Sequence, residues 1–192
     1  MKKVCVVTGG GSGIGKAIAT MLDKEYVVVI TGRSVEKLKG TADELNGFGC
    51  NIVPMACDVS KRGDVISLAN EAAKLGEVVK VINCAGVSGS VGNAETIYRI
   101  NVLGTFHMNQ EFYKVMNGGV ICNIASDSGY FLPKLMLPNP KHYLTVLEDE
   151  EKFITTILKK TPFKKNPLYH AHLGYMISKN YARWYSANCA YK

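Results

Sequence analysis

The sequence has no apolar run approaching the roughly 20 residues that a membrane-spanning helix needs. It also has no C-x-x-C pair, no internal repeat and no low-complexity tract. Its short apolar start, MKKVCVV, runs straight into glycines, which does not fit a signal peptide. The six cysteines, Cys5, Cys50, Cys57, Cys84, Cys122 and Cys189, are scattered, and Cys5, Cys84 and Cys122 sit in strand-like runs. Buried, reduced thiols in a cytoplasmic protein are the expectation, and a disulfide framework is not. The histidines lack zinc spacing, His170 and His172 being two apart in a polar loop, so no metal is expected. A dense basic tract is missing too, although the net charge is +7. Much of the excess lies between Lys134 and Lys165, beside the acidic run at 148–151. A solvated helix face explains it first, and a phosphate-bearing cofactor or acidic substrate second. Without a basic platform interleaved with aromatics, nucleic acid is not an expected partner, nor is a membrane.

What is present is a chain of 192 residues, 47% hydrophobic and 20% charged, suited to a single soluble domain spanning 1–192. Val- and Ile-rich runs at 3–7, 26–31, 51–56, 78–84 and 120–125 predict strands. They are apolar at nearly every position, as in a parallel sheet covered on both faces. Helical patterns at 13–23, 35–45, 63–75 and 95–116 fall between or beside them, with Ser34 and Ser60 as N-cap candidates. The alternation predicts a doubly wound α/β sheet, a Rossmann-type fold. From about 130 to 174 the pattern breaks. Five of the six prolines fall there, with one helical stretch at 147–160, and a last helix is expected from 173 to the end. This segment reads as a helical insertion, too short to hold a core of its own.

The stretch TGGGSGIGKA at 8–17 admits two phosphate loops. From Gly10 it reads G-x-x-x-x-G-K, a nucleotide-triphosphate loop; from Gly9 it reads G-x-x-x-G-x-G, a dinucleotide loop. The first needs a hydroxyl after Lys16 to hold magnesium, and position 17 is Ala. The second expects a ribose-reading residue at the end of the next strand. That strand ends Thr31-Gly32-Arg33, with no acid and with a guanidinium suited to a 2′-phosphate. Dinucleotide binding is favoured, with NADP preferred over NAD.

Near the C-terminus, YMISK places Tyr175 and Lys179 four apart, on one face of the expected helix. An ammonium beside a phenol stabilises the phenolate, and such a pair exchanges a proton with an alcohol or carbonyl oxygen. Alone the pair is weak. In order along the chain, however, stand TGGGSGIG at 8–15, NCAG at 83–86, Asn101, NIAS ending at Ser126, and Tyr175 with Lys179. This set resembles the short-chain dehydrogenase/reductase family over essentially the whole chain. The resemblance implies an oxidoreductase that uses NAD(P) to transfer hydride to or from a carbonyl or alcohol. It assigns Tyr175 as general acid/base and Lys179 as its partner, which also holds the nicotinamide ribose. Ser126 would bond the substrate oxygen, and Asn101 would fix a relay water. Thr8, Gly9, Ser12, Gly13, Ile14 and Gly15 would line the pyrophosphate. Asp58 and Val59 would meet the adenine, and Asn83, Ala85 and Gly86 would back the adenosine ribose. Asn83 has a plainer reading as a sheet stabiliser, and Asp58 as a helix cap.

The sequence departs from the family pattern in several places. Cys84 stands where the family carries a second Asn. Ser126 and Tyr175 are 49 positions apart, and Gly86 and Asn101 only 15. A shortened segment followed by a long insertion resembles the branch of 3α-hydroxysteroid dehydrogenase/carbonyl reductase. Such an insertion would alter or block the usual family dimer, leaving a homo-oligomer open. The family's final strands are expected after Lys192, so the sequence reads as an incomplete chain. Leu132, Leu135, Met136, Leu137 and Phe153 make the insertion apolar. That suits packing of the lid first and a hydroxysteroid or other hydrophobic ketone second. A non-catalytic cofactor-binding protein of the same fold is the alternative from another class.

Overall fold

The structure, a computed structural model, describes residues 1–22 and 24–188. Asp23, Cys189 and the last residues of the expected C-terminal helix lie outside the described residues. The chain divides into two compact units, Met1–Ala85 with Gly104–Ile124, and Gly86–Leu103 with Ala125–Lys192.

The first unit is a five-stranded parallel sheet in the order β3-β2-β1-β4-β5. Its strands are β1 (Lys3–Thr8), β2 (Val27–Gly32), β3 (Ile52–Ala56), β4 (Glu77–Asn83) and β5 (Val120–Asn123). Its helices are α1 (Gly13–Met21), α2 (Val35–Gly47), α3 (Arg62–Leu75) and α5 (Gly104–Val115). Strands β1 and β2 are buried almost throughout, as their unbroken Val/Ile runs require. The outer strands differ. β3 and β5 alternate between covered and open positions, and Cys122 on β5 is exposed. Continuous apolarity therefore does not by itself mean continuous burial, and the expectation of a buried Cys122 fails because β5 is an outer strand. Cys5 and Cys57 are buried, and loss of hydration pushes both thiols up, Cys5 to about 11 and Cys57 to about 12.

One cluster in the core is built from Cys5, Val7, Val28, Ile30 and Ile52 of the sheet with Ala19, Leu38, Ala42 and Leu45 of α1 and α2. Ser34 caps α2 by accepting from Lys37 N. Ser60 does not cap α3. Lys61 holds that position, and the Ser60 hydroxyl bonds Asp58 instead.

In the second unit α4 (Ala94–Ile97) leads into a π-helical turn, Tyr98–Leu103, so the single helix expected at 95–116 is interrupted. α6 (Pro140–Leu144), α7 (Glu150–Lys160) and α8 (Pro167–Asn188) follow. α7 starts later than expected because Asp149 accepts from Lys152 N and caps it. α8 starts earlier, with Pro at its first position, so His170 and His172 are helical and not in a loop. Tyr143, Phe153, Tyr181 and Tyr185 are buried together, and Phe153 with Leu132 makes the expected packing role of the insertion real. Leu135, at 98% exposure, takes no part in it.

Within the first unit Glu111 is buried and meets two cations: Arg62 Nε donates at 2.8 Å, and Lys114 Nζ donates to the other oxygen. Burial alone would raise this carboxyl. The bonds from Lys114 and Arg62 outweigh it and hold the group below its usual range. Stability from a depressed carboxyl is present above its unfolded value and is lost as pH falls through the folded one. Glu111→Gln should therefore lower stability by on the order of 1 kcal/mol at neutral pH. In urea melts the gap to wild type should close on acidification; a gap that persists at low pH would contradict this account.

Candidate functional site

In a doubly wound sheet, ligands bind beyond the carboxyl ends of the strands, where the strand order reverses. Here that point lies between β1 and β4. Register places Thr8 beside Thr31 on one side and beside Asn83 on the other, and Asn83 beside Asn123. A row of polar residues thus crosses the carboxyl edge of an otherwise apolar sheet. Thr8 Oγ1 accepts from Ala85 N at 2.8 Å, tying the two crossover loops together. Asn83 Nδ2 donates to Asn123 Oδ1 at 2.6 Å, and Asn109 Nδ2 donates to the same oxygen at 2.9 Å. Asn83 thus has the sheet-stabilising contacts of its plainer reading. The sequence assigns no role to Asn109 or, within NIAS, to Asn123, because their partners are 14 and 40 residues away.

Gly9 to Gly15 turn from β1 into α1. Gly13 has φ +52°, which a side chain would strain, and nothing lies within 4 Å of where its Cβ would be. Gly15 is required for another reason: its Cβ would stand 2.5 Å from the carbonyl oxygen of Gly9. Ser12, the N-cap of α1, makes no side-chain capping bond, and Ser12, Gly13 and Ile14 are exposed. The first-turn N–H groups of α1 are left to an outside acceptor, so the loop fits a pyrophosphate. Lys16 Nζ pairs with Glu44 at 2.6 Å. Arg33, just past β2, is exposed and makes no ion pair among the described residues.

Asp58 Oδ1 accepts from Ser60 N and Ser60 Oγ, leaving Oδ2 for another donor. Val59 is buried, and its carbonyl is 2.9 Å from Nδ1 of the buried His107. Sequence reasoning missed His107, whose partner is 48 residues away.

The second unit gathers Asn101, Ser126, Tyr175 and Lys179. Asn101 lies in the π turn. Its Oδ1 accepts from Val87 N at 2.8 Å, and its Nδ2 donates to Val87 O at 2.9 Å and Ser178 Oγ at 3.0 Å. Gly86 approaches the same amide: a Cβ there would be 3.2 Å from Asn101 Oδ1 and 3.7 Å from Lys179 Nζ. Lys179 Nζ is 5.9 Å from the centre of the Tyr175 ring, one turn away on α8. The Tyr175 hydroxyl makes no hydrogen bond among the described residues, and the side chain is half-buried. Ser126 Oγ donates to Asp127 Oδ1 at 3.0 Å and accepts from Ser128 N at 3.2 Å and Ser128 Oγ at 2.8 Å. Its donor and both acceptor sites are engaged within its own turn. A Cβ on Gly129 would strike the backbone of Lys179 and Asn180 at 2.8 Å, so this glycine lets the serine turn lie against α8. No His/Cys/Asp/Glu group that could hold a metal occurs among the described residues.

The sheet order, the glycine loop at its switch point and the tyrosine–lysine helix define a Rossmann-type fold of the dinucleotide-binding class. The family model for short chain dehydrogenase matches residues 3–137, and the chain belongs to that family. It is 38% identical over 144 residues to an uncharacterised oxidoreductase of Staphylococcus aureus strain USA300, covering 69% of this chain and 62% of that protein. The chain thus spans under two thirds of that relative's length. A solved metagenomic short-chain oxidoreductase in complex with NADP is 31% identical, with a TM-score of 0.61, covering 69% of this chain and 65% of the other. A short-chain dehydrogenase/reductase from Burkholderia phymatum in complex with NAD is 27% identical, with a TM-score of 0.58, covering 68% and 51%.

Asn101→Ala removes the partner of both backbone groups of Val87. Leaving such groups unpaired costs about 1–3 kcal/mol, and a urea titration of this variant should show a loss in that range. An unchanged midpoint would mean that Asn101 does not organise the turn.

Proposed function

We propose that the chain carries the cofactor-binding and acid/base machinery of an NADP-preferring oxidoreductase, acting on a carbonyl or alcohol. The observation that carries this reading is the Tyr175 hydroxyl: it is unbonded among the described residues, with Lys179 one helical turn away. Nicotinamide, when bound, accepts or supplies the hydride. Everything else falls to side chains. Tyr175 moves the proton of the substrate oxygen, and Lys179 stabilises the phenolate and bonds the nicotinamide ribose. Asn101 has its side chain committed to Val87 and Ser178, so a relay water held there would bond its backbone. Thr8, Gly9, Ser12, Gly13, Ile14 and Gly15 hold the pyrophosphate. Asp58 and Val59 meet the adenine, and Asn83, Ala85 and Gly86 back the ribose. Arg33, exposed and without an ion pair among the described residues, supports the 2′-phosphate of NADP over the free hydroxyl of NAD.

Ser126 bonds the substrate oxygen only after its proton leaves Asp127, since its donor is engaged there. That engagement also favours a second reading, a protein of this fold that binds the cofactor without turning over. A hydrophobic ketone, a hydroxysteroid among them, is the proposed substrate class, supported by the exposed Phe131 and Leu135 after the serine turn. The chain is read as one Rossmann domain over 1–192 with a helical insertion at about 130–174.

Tyr175→Phe should lower turnover by about 10²–10⁴-fold, the usual contribution of a positioned acid/base. NADPH should still bind, as read by nucleotide fluorescence. Unchanged turnover would remove Tyr175 from the chemistry, and nucleotide binding without turnover across a broad carbonyl panel in the wild type would favour the second reading. Arg33→Ala should weaken NADPH by about tenfold while sparing NADH, the size expected for a lost charge-assisted phosphate contact; equal weakening of both would overturn the NADP preference.

A further inference from the structure

The second unit contains a cavity of about 720 Å³ that none of the proposed catalytic residues lines. Its volume lies in the range of small-molecule sites. One wall is aromatic: Tyr143 is buried, and Trp184 packs against it with ring centres 5.3 Å apart. A second wall is an amide of fixed orientation. Asn180 Oδ1 accepts from Tyr143 Oη at 3.0 Å, and its Nδ2 donates to Gly129 O at 3.0 Å. The charged lining residues are Lys134 and Arg183, and no carboxylate lines the cavity among the described residues.

Arg183 is the informative member. Its guanidinium carbon lies 3.8 Å from the centre of the Tyr130 ring, so the cation is stacked face-on. Stacking fixes the plane of the group but uses none of its N–H donors, which point outward in that plane. Among the described residues Arg183 has no ion pair and no side-chain hydrogen bond. A half-buried, pre-oriented fork of donors therefore borders an aromatic cavity. A guanidinium in this state recognises a planar or tetrahedral oxyanion in two-point fashion.

We propose that this cavity is a second ligand site, which binds a small organic anion: an aromatic body against Trp184 and Tyr143, with its carboxylate or phosphate on Arg183 and Lys134. The site is separate from the proposed reaction centre, since neither Tyr175 nor Ser126 lines it. Its occupancy is readable directly, because the chain has a single tryptophan, Trp184.

The test is a tryptophan-fluorescence titration with phenylpropionate, phenyl phosphate and the neutral phenylpropanol. Saturable quenching by an anion, at least tenfold tighter than the alcohol, is expected. The two anions distinguish carboxylate from phosphate recognition. Arg183→Gln should weaken the anion about tenfold, the loss of a charged two-point contact, with little change for the alcohol. If that variant does not fold by circular dichroism, the comparison of anion with alcohol on the wild type still decides. Tyr175→Phe should bind the anion as wild type does, whatever happens to its turnover. No saturable quenching, or equal affinity for anion and alcohol, would overturn the proposal, as would an unchanged affinity in a folded Arg183→Gln protein.

Discussion

The pairing of β1 with β4 is the constraint on which the sheet's ligand end depends. These strands are neighbours in space and distant in sequence, and their register puts Thr8 opposite Asn83. Once that register is set, Thr8 Oγ1 reaches Ala85 N, and the glycine loop and the loop after β4 leave the sheet side by side. A slip of one residue would turn every side chain of β1 to the other face. Both faces of β1 are covered, so the loss would fall at the polar end, where Thr8 would leave the reach of Ala85. Polar bonding at the carboxyl end thus supplies the alignment that a strand apolar on both faces leaves open.

The inner strands show what drives the assembly. Burying a Val or Ile side chain contributes about 1.5–3 kcal/mol relative to exposure, and β1 and β2 bury nearly every residue. At the carboxyl edge Asn83 and Asn109 both donate to Asn123, and Thr8 accepts from the backbone of Ala85. The second unit uses a different device. There the aromatic group of Tyr143, Phe153, Tyr181 and Tyr185 supplies the apolar contact, while Asn101 and Asn180 fix loops by accepting and donating at once.

Much of this was legible in the sequence, for identifiable reasons. The strand positions and the helix after the glycine loop follow from local residue patterns. Residues whose partners are remote were not legible: His107, Asn109, Asn123 and Asn180 carry no local signature. Caps were half legible. Ser34 caps as its position suggests, whereas Ser60 turns to Asp58 two residues back, a competing local bond that spacing does not rank. The start of α8 was missed by reading the two histidines as a loop, although Pro167 marks the first turn of the helix. Burial of β3 and β5 was overestimated because apolar content does not tell an inner strand from an outer one.

The π turn at Tyr98–Leu103 has a consequence for how this region tolerates change. Such a turn is an α-helix holding one residue more than its regular ladder accommodates. One residue more or less turns the side chains beyond it by about 100° about the helix axis. Substituting a residue there alters a contact; deleting one ahead of Asn101 turns its amide away from Val87 and Ser178. In that stretch the number of residues matters to the geometry as much as the identity of Asn101 does.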